Sequence, residues 1–156
     1  MSHSAESSFV YVTFIRTTPE KLWSALTEVN QMKEYWFGMQ IKTEWKAGAA
    51  WQMTFPDGRV ADTGEILELD RPKRIRLKWR NEFRPELKAE GFTLCTIDLE
   101  PVGATVRLTI THTIERADSK FIQAVTGGWP KILSNLKSLL ETGQVILTET
   151  DHSHAR

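Results

Sequence analysis

The segment 74-RIRLKWR-80 alternates without exception: Ile75, Leu77 and Trp79 are apolar, while Arg74, Arg76, Lys78 and Arg80 are basic. A period of two puts the apolar set on one face of a strand and the charges on the other. The same pattern runs through 104-ATVRLTITHTIE-115, where Val106, Leu108, Ile110, His112 and Ile114 share a face, and through 92-FTLCTIDLE-100. The β-branched and aromatic runs 9-FVYVTFIR-16, 50-AWQMTF-55 and 60-VADTGEILEL-69 also read as strands. Turn chemistry separates them at Gly48, 56-PDGR-59, 70-DRPK-73 and 101-PVG-103, and 81-NEFRPELKAEG-91 reads as a charged loop.

Three segments change the period to 3.6. In 17-TTPEKLWSALTEV-29, Thr18 suits an N-cap, Pro19 suits the first helical position, and Leu22, Leu26 and Val29 form a stripe. A second short helix, 31-QMKEYWFG-38, should stop at Gly38. From about Asp118 to Thr142 a long stripe runs through Phe121, Ile122, Val125, Trp129, Ile132, Leu133, Leu136, Leu139 and Leu140. Gly127, Gly128 and Pro130 interrupt it. Pro130 cannot donate to the carbonyl of Thr126, so a kink or break is predicted there. That bend would wrap the helix around the core, gate a cavity, or both.

The order is strand, two short helices, about six strands and a long helix, in one domain spanning 9–147 with polar, flexible ends at 1–8 and 148–156. Short turns between successive strands predict an antiparallel meander, an α+β fold. The terminal helix is the only element long enough to cover a face of that sheet. A curved sheet against a straight rod leaves a wedge of space, to be filled by side chains or kept for a ligand.

Composition narrows the function. Twenty basic residues balance twenty acidic ones, which argues against a nucleic-acid or membrane-surface binder. Cys95 is the one cysteine, so neither an internal disulfide nor a four-cysteine zinc site is available. The chain has no 18-residue apolar run, and its first residues lack a secretory pattern, so a cytoplasmic setting is the expectation. No phosphate loop, nucleophile elbow or zinc-helix motif occurs, and no cofactor or metal is expected. His152 and His154 on the tail make at best a weak metal site.

Six tryptophans are many for 156 residues. The aromatic set, with Trp36, Trp51, Trp79, Trp129 and Phe55 at its centre and Met53 beside them, is either a tryptophan-rich core or the wall of an apolar pocket. His112, in its apolar row, is either a hydrogen-bonded core residue or a polar anchor for a ligand, with Glu65 a candidate neighbour. The basic row of 74–80 is either an anionic-partner surface or a solvated face paired with Asp98 and Glu100.

The runs 15-IRTTPEKLWSALTEVNQMKEYWFG-38, 47-AGAAWQM-53, 64-GEILELDRPKRIRLKW-79, 112-HT-113 and 127-GGWPKILSNLKSLLETG-143 together resemble the activator of heat-shock protein 90 ATPase-like family of the START-like (SRPBCC, helix-grip) superfamily. The resemblance covers about residues 9–143. It implies a sheet of six to seven strands gripping a long C-terminal helix, with a deep apolar cavity between them. The resulting expectation is a non-enzymatic protein that binds a small apolar or aromatic molecule, lipid-like or polyketide-like. Its contacts would be Trp36, Trp51, Met53, Phe55, Trp79 and Trp129, with His112 as the polar one. The alternatives are a module that stimulates a chaperone ATPase through the basic strand and the 80–91 loop, and a cyclase or dehydratase relying on His112. The expected partners are a small hydrophobic molecule or a chaperone, with a homodimer left open.

Overall fold

The computed structural model describes residues 5–148. The readings of 1–4 and 149–156, His152 and His154 included, lie outside the described residues. Strands β1 (Ser7–Ile15), β2 (Gln40–Lys42), β3 (Ala50–Thr54), β4 (Val60–Asp70), β5 (Arg74–Asn81), β6 (Thr93–Val102) and β7 (Thr105–Ile114) form one antiparallel sheet in the order β1-β7-β6-β5-β4-β3-β2. Helices α1 (Pro19–Thr27) and α2 (Val29–Tyr35) follow β1, α3 (Pro85–Lys88) is a single turn, and α4 (Lys120–Thr142) closes the fold. This is the expected α+β helix-grip arrangement, with seven strands.

Local chemistry sets the helix ends. Thr18 Oγ1 accepts from the Lys21 amide at 3.3 Å with Pro19 behind it, as the cap reading anticipates. Ser119 Oγ caps α4 on the Ile122 amide at 3.1 Å, and Glu90 accepts from Ser119 Oγ, Lys120 N and Phe121 N. Gly143 ends α4 in the left-handed region. Asn135, fully buried, holds the chain beyond it: Oδ1 accepts from the amides of Ile146 and Leu147 at 3.0 and 2.8 Å.

Of the kink or break expected at Gly127–Pro130, the break does not occur: α4 runs as one helix from Lys120 to Thr142. Proline removes one hydrogen bond. Burial of Phe121, Ile122 and Trp129 before it and of Ile132, Leu133 and Leu136 after it holds both halves to the sheet. Two further expectations need correction. The charged loop contains α3, and β6 continues through Val102 rather than stopping before Pro101.

The inner face of the sheet carries Met53, Ile66, Ile75, Leu77, Trp79, Cys95, Ile97, Leu108, Ile110 and His112, all buried against α4, α1 and α2. Two irregularities in β4 shape this face. Met53 pairs with Asp62 but Thr54 with Val60, so Ala61 is an extra residue, and Leu67 is extra between Ile66 and Glu68. The second bulge turns Glu68 outward, toward Arg76 at 3.8 Å, while Ile66 and Leu69 stay on the inner side.

Gly64 sits between Trp51 and Trp79 in register. A Cβ there would stand 1.7 Å from the Lys78 carbonyl oxygen and 2.7 Å from Trp51 Nε1. The indole of Trp51 lies over this bare backbone, donates to Lys78 O at 3.1 Å and meets Trp79 edge-on at 4.8 Å.

On the outer face the basic row is largely neutralised. Arg74 meets Asp98 at 2.6 Å, the pairing that strand parity anticipates, and Arg80 meets Glu82 at 2.6 Å. Lys78 and Arg80 lie over the ring of Phe92.

The two kinds of glycine should respond oppositely to alanine. Gly127 is an exposed helical position with open space around it, so Gly127→Ala should add about 0.5–1 kcal/mol in urea unfolding. Gly64→Ala should cost ~3 kcal/mol or more, because backbone atoms of β5 must move.

Candidate functional site: an indole-walled cavity beneath the terminal helix

Between the inner face of the sheet, α3 and the first half of α4 lies a cavity of about 140 Å³. Trp36, Trp79, Trp129, Phe121, Met53 and Ile132 form its apolar wall. The loop before α3 and the Ala124–Gly128 stretch of α4 contribute Phe83, Ala124, Val125 and Gly128, all part-exposed, so they form the rim. Gly128 puts no side chain there, and a Cβ added to it meets nothing within 4 Å.

Three indoles meet at the cavity. Trp36 and Trp129 contact at 5.3 Å between centroids, Trp79 and Trp129 at 5.9 Å, and Trp36 and Trp79 at 6.2 Å. Hydrogen bonds fix two of the rings. Trp79 Nε1 donates to Asp62 Oδ2 at 2.8 Å, and Trp129 Nε1 donates to His112 Nδ1 at 3.2 Å.

The second bond sets the tautomer of His112. An indole N–H only donates, so Nδ1 must accept and the ring proton of the neutral imidazole resides on Nε2. Nε2 then donates to Thr93 Oγ1 at 2.7 Å, and Thr93 Oγ1 donates to Trp79 O at 2.9 Å. Every polar atom in this chain has a partner, and the imidazole is fully buried. Desolvation pushes its pKa down to about 3.

Of the residues expected at the site, Trp36, Met53, Trp79 and Trp129 line the cavity, and three others stand one layer back. Trp51 packs on Trp79 over Gly64. Phe55, at the end of β3, meets Phe83 edge-on at 4.9 Å. His112 lies behind Trp129, with its ring 5.0 Å from Phe121. Glu65 is not its neighbour: it faces outward on β4, exposed, opposite Lys78.

Sequence reasoning missed the polar lining: Asp62, Asn81 and Arg84. Asn81 continues the inward parity of Ile75, Leu77 and Trp79, a signal that was available. Asp62 shares parity with Ile66, but the Ala61 bulge obscures the pattern.

The polar cluster beside the cavity holds α3 in place. Burial opposes ionisation of Glu82, yet hydrogen bonds from Arg80, Thr63 and Lys88 outweigh it and bring its pKa to about 2. Asn81 Oδ1 accepts from the amides of Phe83 and Arg84 at 3.2 and 2.8 Å. Cys95 is buried, and desolvation raises its thiol pKa, so it is a poor nucleophile. Among the described residues no group of three or more histidine, cysteine or acidic side chains could hold a metal ion.

The neutral histidine has a measurable consequence. Its folded-state pKa lies below the ordinary value, so the unfolded chain takes the proton first. Its contribution is complete above about pH 6.5 and is lost as pH falls toward 3, at up to ~1.4 kcal/mol per pH unit. This window lies above the ordinary carboxylate range and covers the ordinary histidine value, so the imidazole is the group to watch in it. Urea unfolding across that window should show falling stability, and His112→Gln should flatten the dependence.

With the geometry defined, comparison with known proteins places the chain. No curated protein matches it in sequence. Among solved structures, a protein from Mesorhizobium loti superposes with a TM-score of 0.73 at 23% identity, over 86% of this chain and 96% of that one. An Aha1 from Colwellia psychrerythraea, described as a dimer, gives 0.71 at 20% identity, over 88% and 98%. An HSP90 activator from Plasmodium falciparum gives 0.69 at 22% identity, over 85% and 95%. At these identities the likeness is one of fold. A family model, activator of Hsp90 ATPase homolog 1-like protein, matches residues 16–141, and the chain belongs to that family.

Proposed function

We propose that this protein binds a small apolar, aromatic molecule in the cavity between its sheet and α4. The observation that carries the reading is a space of about 140 Å³ between the sheet and α4, walled by three indoles and Phe121. An engineered apolar cavity of about 150 Å³ in another protein takes up benzene or xenon, so this one suits a single ring. A lipid or polyketide-like molecule could seat only one ring or chain end inside, with the remainder passing the rim at Gly128. Burial would supply about 25 cal/mol per Å² of apolar surface, less the cost of immobilising the guest.

His112 is not the group on which an enzymatic reading can lean. Both ring nitrogens are bonded inside the protein, and its low pKa keeps it from taking a proton near neutrality.

Family membership favours one other reading, stimulation of a chaperone ATPase. The basic strand suggested for that contact offers little free charge, since Arg74, Arg76 and Arg80 are paired with acids. An ATPase assay with the cognate chaperone decides it, and a flat rate at saturating protein removes it.

For the ligand reading, single-ring aromatics should raise the melting temperature and alter tryptophan emission. Gly128→Leu should keep the fold, fill the rim and weaken binding at least tenfold. Gly127→Ala, one residue away and outside the cavity, should bind as the wild type does. A panel of such ligands that changes neither signal rules the reading out.

A further inference from the structure

The two edges of the sheet are built differently. β2, on one side, is three residues long and carries Lys42, features that discourage a further strand from adding there. β1, on the other, is nine residues long, SSFVYVTFI, with no charge, no proline and no bulge in its register with β7. Its outer row, Val10, Val12 and Phe14, is 58%, 48% and 47% exposed. β1 contributes no residue to the cavity wall.

The direction of its backbone groups follows from the ladder. In an antiparallel pair, residues that exchange hydrogen bonds alternate with residues that do not. Leu99 N donates to Lys73 O, so the odd-numbered residues of β6 face β5 and the even-numbered ones face β7. Carried through the register, the odd residues of β1 face β7 and the even ones point away from the sheet. Two contacts from α4 agree: Phe14 O accepts from Lys137 Nζ at 2.5 Å, and Arg16 N donates to Glu141 at 2.8 Å. The N–H and C=O groups of Ser8, Val10 and Val12 meet no partner on that side within the described residues.

We propose that β1 pairs antiparallel with β1 of a second copy of this chain, across a two-fold axis at Tyr11, so that two sheets join into one. This register sets Val10 opposite Val12 of the second copy and Ser8 opposite Phe14. All four are edge-facing positions, as a hydrogen-bonded ladder requires. It also sets Glu6, one position before β1, opposite Arg16, one position after it, at both ends. Glu6 and Arg16 are exposed, and neither makes an ion pair among the described residues. The charges that α4 places at that end, Lys137 and Glu141, pair with one another at 2.8 Å, so Arg16 supplies the net positive charge that Glu6 meets. Moving the axis to Val10 sets Glu6 against Phe14, and moving it to Val12 sets Arg16 against Ser8. Of these three axes only Tyr11 brings the opposite charges together.

Sedimentation equilibrium of the full chain, from micromolar to submillimolar concentration, tests this. The wild type should form a reversible dimer. Arg16→Glu places like charges opposite one another at both ends and should weaken association at least about tenfold. Glu6→Arg combined with Arg16→Glu exchanges the two charges and should return the dissociation constant to within about threefold of the wild type. Val12→Pro removes an N–H that points at the open edge, where proline is tolerated, and should abolish the dimer while leaving the circular dichroism of the fold unchanged. A chain that stays monomeric at every concentration overturns the proposal. So does a dimer that the charge reversal leaves intact, or one that the exchanged pair fails to restore. The charge variants decide the matter even if the proline variant does not fold, because both positions are exposed.

Discussion

Close packing normally eliminates voids, because side chains rotate into whatever space the backbone leaves. Here two of the three wall indoles, and one more indole a layer behind them, are tethered. Trp79 is held by its N–H on Asp62, Trp129 by its N–H on His112, and Trp51 by its N–H on the Lys78 carbonyl. Turning any of these rings into the hollow would strand a buried donor together with its acceptor, at roughly 1–3 kcal/mol for each unsatisfied group. The cavity is thus bounded by the directionality of hydrogen bonds as much as by shape. His112 serves this arrangement as a neutral acceptor for Trp129, which explains a histidine inside an apolar row.

The backbone features divide between support and space. Gly64 lets Trp51 lie against β5, so the second layer of indole backs the first. The extra residue Ala61 brings Asp62 into register with Met53 and Asn81 on the inner face. Gly128 removes a side chain at the rim, while Pro130 passes through a continuous helix. The Gly-Gly-Trp-Pro segment is therefore a place where α4 is thin, and its indole reaches inward to the sheet.

Much of the fold was legible because its signals are periodic. Strict alternation in 74–80 and 104–115, the Thr18–Pro19 start and the long apolar stripe of α4 each depend on spacing alone. α3 was not legible, since one turn is too short to display a 3.6 period. The site was legible in its materials but not in its geometry. Trp36, Met53, Trp79 and Trp129 share the cavity, whereas Trp51 and Phe55 have the same inward parity and lie behind it. Whether rings fill or merely bound a space depends on their interplanar angles and hydrogen bonds, which residue identity does not encode. Asp62 was hidden by a one-residue bulge, which resets the alternation on which parity arguments depend.

The central claim is that the space beneath α4 is kept open by tethered rings and accepts a guest. A crystal structure of the protein soaked in benzene tests this most directly. The account predicts electron density for one ring among Trp36, Trp79, Trp129 and Phe121, with the Asp62 and His112 bonds to the indoles unchanged. Indoles turned inward to fill that space, with those bonds broken and no guest bound, would contradict it.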